Sequence, residues 1–157
     1  MKIALLQTGK TNERHIAEGV DKYSLRIRRY TGFEIVTVPD IKNTRNMPGS
    51  ELMMKEGARI LELLSKDDYV VLLDERGKEF GTFEFASWLE KKISSSGKRM
   101  VFIIGGAWGF SADVYSRADF SISLSKLTFP HQLVRLLFAE QLYRAFTVIK
   151  GEPYHHN

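Results

Sequence analysis

Three stretches of this chain carry residue types whose spacing suits ligand chemistry. GGAWG at Gly105–Gly109 follows the apolar run MVFII. Glycines in such a place let backbone amides and carbonyls reach a ligand with no side chain between. LDERGK at Leu73–Lys78 follows a second apolar run, and LSKLTF at Leu124–Phe129 links a short alternating segment to a long apolar one. The glycine loop does not read G-x-G-x-x-G, it follows the fourth apolar strand rather than the first, and no P-loop sequence is present. Dinucleotide and nucleoside-triphosphate binding therefore lose support, while a plain tight turn stays open beside a ligand loop. The chain contains no cysteine, which excludes disulfides, thiol catalysis and thiolate metal sites. It has no HExxH pattern, so no metal site is assigned, and His155 with His156 reads equally as a chain-end tail. His131, near a helix start, reads as a packing or hydrogen-bonding residue rather than a general base.

The elements that position these loops follow from hydrophobic periodicity. Ile122 and Leu124 alternate with Ser121, Ser123 and Ser125, a strand pattern stopping at Ser125. Thr128 is placed to cap the next helix, with Pro130 in its first turn. From Leu133 to Phe146 apolar residues point nearly all round at 100° per residue, so this helix has no wholly polar face. A second subunit is the favoured cover for it, with a central core helix in a monomer as the other reading.

The rest of the chain alternates in the same way. Strands are expected over 2–7, 33–38, 69–74 and 100–104, and helices over 12–30, 51–64, 82–93 (capped by Thr82) and 111–117. Residues 40–50 form a polar loop and 94–98 a polar link. Five strands alternating with helices imply one α/β domain over residues 1–157, a mainly parallel sheet flanked by helices. Ligands bind such sheets beyond the carboxyl ends of the strands, which gathers 73–78, 105–109 and 124–129 at one site.

The net charge of +4 favours an anionic partner such as nucleic acid. His15, Lys22, Arg26 and Arg29 lie together beside the apolar stripe Ile16, Val20, Tyr23, Ile27 and Tyr30 of the first helix. That positive flank reads either as a solvated face or as a surface for RNA phosphates. No apolar run approaches a membrane span and the apolar start is short for a secretory signal, so a cytoplasmic protein with no membrane partner is expected.

LDERGKEF at Leu73–Phe80, IIGGAWG at Ile103–Gly109, SLSKLTFPHQLVRLLFAEQLYRA at Ser123–Ala145 and PYH at Pro153–His155 together resemble the RlmH family. These are large-subunit ribosomal RNA methyltransferases of the SPOUT class, and the resemblance spans essentially the whole chain. It departs at Gly81 and Thr82, where many relatives carry serines, and the tail ends in His156 and Asn157. The resemblance implies a C-terminal deep trefoil knot that binds S-adenosylmethionine, and a homodimer. It also implies methyl transfer to N3 of a pseudouridine in a large-subunit (23S) rRNA hairpin loop, with assembled ribosomes as substrate. By matching positions, Leu73, Gly105 and the run Leu124, Ser125, Lys126, Leu127, Thr128 and Phe129 should surround the cofactor. The same match sets Arg144, Tyr154 and His155 at the target nucleotide, with His155 a candidate proton acceptor. A noncatalytic RNA- or ribosome-binding module, or a methyltransferase for another RNA, would share these features.

Overall fold

The computed structural model describes residues 1–95 and 97–156. Ser96, within the expected link 94–98, and Asn157, at the end of the tail, lie outside the described residues. The chain runs β1 (Lys2–Thr8), α1 (Arg14–Ile27), β2 (Gly32–Val38), α2 (Gly49–Glu62), β3 (Asp68–Glu79), α3 (Thr82–Ser95), β4 (Arg99–Ile104), α4 (Ala112–Arg117), β5 (Phe120–Ser123) and α5 (His131–Ile149). The strands form one parallel sheet in the order β2-β1-β4-β3-β5. The α/β alternation and the parallel sheet expected from periodicity are both present.

Side chains on a strand alternate between faces, and here they build two cores. Ile3, Leu5, Met100, Phe102 and Ile104 pack with α1, α3 and α5 residues such as Ile27, Leu89 and Phe138. Ala4, Leu6, Val101 and Ile103 face the other way, toward Ile60 of α2 and Val114 of α4. The central strands are apolar throughout because both faces are covered.

Several boundaries differ from those expected, each for a local reason. α1 starts at Arg14 rather than Asn12, whose amide instead donates to Gln132 Oε1 at 2.9 Å. β3 does not end at Asp74. It continues to Glu79, and both Leu73 and Lys78 pair with Ile122 of β5, so Asp74–Gly77 form an excursion within the strand. β5 ends at Ser123 rather than Ser125: the Ser123 hydroxyl donates to the Ser125 carbonyl at 2.9 Å, and Ser125 Oγ accepts from the Leu127 amide at 2.9 Å, turning the chain. Thr128 does not cap α5. The helix begins at His131 with Pro130 as N-cap and no side-chain cap. Thr82 is the first residue of α3 rather than its cap, and the Gly81 amide before it donates to the Glu84 carboxylate at 3.0 Å.

Every residue from Gln132 to Ile149 is buried or half-buried in the single chain, because α1 and α3 flank α5. Gly19 of α1 allows the close approach: a Cβ there would fall 2.6 Å from Leu136 Cδ1. Much of the cover assigned to a second subunit is therefore internal. Among the described residues no helix is long and apolar enough to cross a membrane.

Candidate functional site

A cleft of about 550 Å³ opens beyond the carboxyl ends of β4 and β5 and beside the Asp74–Gly77 excursion of β3. Leu73, Gly105, Leu124, Ser125, Leu127, Thr128 and Phe129 all line it. Lys126 does not: its side chain is exposed, with Nζ 3.6 Å from Glu79 Oε1. The serine hydrogen bonds that end β5 hold 123–127 in a compact turn, which forms one wall of the cleft. Gly105 lines the cleft as well, where a Cβ would meet the Phe110 ring at 3.2 Å. The Gly106–Gly109 turn closes through the Gly109 amide to the Gly106 carbonyl at 3.1 Å, with Gly109 at φ +81°, a conformation favouring glycine.

Polar groups fix the rim. The Tyr115 hydroxyl donates to Asp74 Oδ2 at 2.6 Å, and Arg76 Nη2 donates to the Tyr115 oxygen at 2.6 Å. Burial, with the Asp74 hydrogen bond, pushes the Tyr115 phenol above its ordinary pKa, so it remains a donor at neutral pH. Behind the glycine turn stands Glu56, whose Oε2 lies where a Gly106 Cβ would meet it at 2.6 Å. Burial, and then the nearby Asp40 charge, raise its carboxyl above the usual carboxylate range. At the start of α5 the fully buried Arg135 donates to the Thr8 carbonyl at 2.7 Å and to Thr11 Oγ1 at 2.9 Å. It ties the helix that carries the lining residues His131 and Val134 to the loop after β1. None of Glu56, Tyr115 or Arg135 stands out in the sequence, since each acts through a partner distant in the chain.

The tail residues form a second cluster at the other end of α5. Tyr154 packs on Tyr143 with ring centroids 4.7 Å apart, and the Arg144 guanidinium lies 4.8 Å over the Tyr154 ring. Arg144 Nε pairs with Glu140 at 2.8 Å, and its Nη1 lies 3.0 Å from His155 Nδ1. Burial first, and then Tyr23 and Glu140, push the Tyr154 phenol up to about 12. The Tyr30 hydroxyl donates to Glu152 at 2.7 Å and anchors the segment to the end of α1. Arg144, Tyr154 and His155 are thus brought together, but not to the cleft of their own chain. His131 and Arg144 are separated by about 20 Å of helix at 1.5 Å per residue.

The basic flank of α1 is only partly free. His15, Lys22 and Arg29 are exposed, but Arg26 is half-buried, its guanidinium 5.7 Å over Tyr23 and 5.3 Å over Tyr143.

A family profile described as "Predicted SPOUT methyltransferase" matches residues 1–155. The chain is 49% identical over 156 residues to ribosomal RNA large subunit methyltransferase H of Parabacteroides distasonis, covering 99% of each chain. It is 48% identical to the protein of that name from Christiangramia forsetii, again over 99% of each. Among solved structures, tRNA (m1G37) methyltransferase from Aquifex aeolicus superposes on all of this chain and 76% of its own, with a TM-score of 0.55 at 16% identity. That likeness is one of fold. With the family profile covering nearly every residue and relatives near half-identical from end to end, the chain belongs to the SPOUT methyltransferase family.

Proposed function

We propose that this protein transfers a methyl group from S-adenosylmethionine to N3 of a pseudouridine in a large-subunit ribosomal RNA hairpin loop, acting on assembled ribosomes. The observation that carries the reading is the cleft itself. It is lined by Gly105 and most of the Leu124–Phe129 turn, in a chain whose full-length relatives are named for large-subunit rRNA methylation. A cytoplasmic location follows from that substrate.

The cleft suits the cofactor. Its volume accepts a nucleoside with an amino-acid arm, and its apolar lining from Leu73, Leu124, Leu127, Phe129 and Val134 suits an adenine and a thioether-like chain. Backbone groups of Gly105 and of 124–129 would hold it, with Thr128 and Ser125 supplying hydroxyls. When bound, S-adenosylmethionine supplies an electrophilic sulfonium methyl. The protein's own part is to align the acceptor nitrogen and to let its imide proton leave. A C-terminal trefoil knot is part of the same reading, with the Asp74–Gly77 excursion, whose flanking residues Leu73 and Lys78 both pair with Ile122, as the loop beside β5.

Arg144, Tyr154 and His155 position the target nucleotide from a partner subunit. Each tail sits at the C-terminal end of α5 and each cleft at its N-terminal end, so two α5 helices packed antiparallel about a twofold axis bring one chain's tail to the other's cleft. Half-buried Leu133, Leu137 and Gln141 of α5 are available to such a contact. The exposed Lys22 and Arg29 supply charge for RNA phosphates beside it, and the exposed His15 a hydrogen-bonding ring.

Transfer of labelled methyl to ribosomes lacking the modification, with separated large-subunit RNA in parallel and the product nucleoside identified, tests this reading. Label at N3 of pseudouridine in ribosomes is the expected result. Label on another nucleoside would reassign the substrate, and failure to bind S-adenosylmethionine would leave a noncatalytic RNA-binding module.

A further inference from the structure

Trp108 is at the corner of the Gly106–Gly109 turn and is 61% exposed, whereas the chain's other tryptophan, Trp88, is packed among Phe80, Phe85 and Phe120. One face of the Trp108 indole rests on the backbone of Gly49, the first residue of α2. A Cβ at Gly49 would fall 2.6 Å from Cδ2 and 2.7 Å from both Cε2 and Cε3. The ring is therefore seated on main chain, and much of its remaining surface is open to solvent. Trp108 lines the same cleft as Gly105 and Leu124, and the exposed Leu127 lines it as well.

An indole seated this way offers a flat surface that a nucleobase can cover. The same cleft is lined by the Arg76 guanidinium, held by Tyr115 and still largely exposed. An incoming nucleotide thus meets both an aromatic plane and a fixed cation, the pair of groups by which unpaired RNA is gripped. The cofactor contacts proposed above are mainly backbone groups and need no exposed ring.

We propose that Trp108 is a stacking platform for an unpaired base of the RNA substrate, presented by Gly49 at the mouth of the cleft. The inference rests on the RNA-methyltransferase reading and adds to it the residue that grips the loop. Trp108 is distant in sequence from both Gly49 and Arg76, and only the fold brings them to one cleft.

The test compares wild type, Trp108→Ala and Trp108→Phe in methyl transfer to unmodified ribosomes. Calorimetry measures S-adenosylmethionine affinity in parallel, and tryptophan emission is followed as a pseudouridine-containing RNA hairpin is added. The expected result is a KM for ribosomes raised about tenfold or more in Trp108→Ala, in line with the loss of one base–aromatic stack. Trp108→Phe should recover most of it, with cofactor affinity unchanged in both variants. RNA should quench wild-type emission and leave the remaining Trp88 emission of Trp108→Phe unaltered. An unchanged KM in Trp108→Ala overturns the proposal, as does a matching loss of cofactor affinity, which would give the ring to the cofactor. Wild-type quenching without methyl transfer would overturn the enzymatic reading and leave the platform standing.

Discussion

Arg144 and His155 are joined side chain to side chain, Nη1 to Nδ1, at 3.0 Å. A guanidinium can only donate, so Nδ1 is the acceptor and the ring hydrogen is assigned to Nε2. The Nδ1 lone pair is thus engaged, which leaves the ring with a donor at Nε2. On that geometry we propose a positioning role for His155, against the proton-acceptor role expected from the sequence. His155→Ala should lower kcat/KM about tenfold, by the same factor from pH 6 to pH 9, with cofactor affinity unchanged. A deficit that disappears at high pH, where the imide ionises unaided, would restore the proton-acceptor role.

Gly77 tests the excursion in β3. A Cβ there would lie 2.6 Å from the Ile122 nitrogen and 2.6 Å from the Ser121 carbonyl carbon, and backbone cannot swing aside as a side chain can. Gly77→Ala should cost about 3 kcal/mol or more, as overpacking does, which in a chain of this size lowers Tm by about 6–12 °C. Gly32→Ala, whose nearest neighbour would be Lys2 Cγ at 3.5 Å, serves as the matched control and should melt near wild type. Equal melting of the two variants would show that the two segments are not packed this closely.

How much of this was legible in the sequence depends on how local the cause is. β1, β2 and β4 are readable within a residue or two because their apolar runs are bounded by turn residues. The clustering of the three loops at one cleft follows from parallel topology alone. The continuation of β3 through Glu75–Lys78 is not readable, since a charged run with glycine has turn composition and only its pairing with β5 makes it a strand. Thr128 fails as a cap because the Ser123 and Ser125 hydroxyls have already set the turn. The tail's docking needs Tyr30 to meet Glu152, a contact that no periodicity encodes.

Asp68 contributes to the acid limit. Burial alone would raise its carboxyl, but paired hydrogen bonds from Arg99 at 3.0 and 2.7 Å, and the Ser65 amide at 2.7 Å, hold it below the usual carboxylate value. A carboxyl whose folded pKa is depressed contributes stability that is complete above its unfolded pKa and is lost as the pH falls through the folded one. Wild type should therefore lose stability below about pH 4. Asp68→Asn should be about 2 kcal/mol less stable at neutral pH, the scale of a charge-assisted hydrogen bond, and should show a shallower acid limb. Parallel denaturation curves of the two proteins from pH 7 to pH 3 would remove Asp68 from the account.

The proposed antiparallel α5 pairing makes a stoichiometric prediction. A tail variant, Arg144→Ala with His155→Ala, retains its cleft but cannot position the nucleotide. A cleft variant, Gly105→Trp, retains its tail but drives an indole toward Phe110 and into the cofactor space. Each homodimer should be inactive. When the two are unfolded together and refolded at equal amounts, half of the dimers are mixed, and each mixed dimer assembles one complete site from the intact cleft of one chain and the intact tail of the other. Activity should return to about a quarter of wild type, as random pairing about a twofold axis requires. If each tail served its own cleft instead, no mixed dimer would hold a complete site. The mixture would then stay inactive while sedimentation still showed dimers.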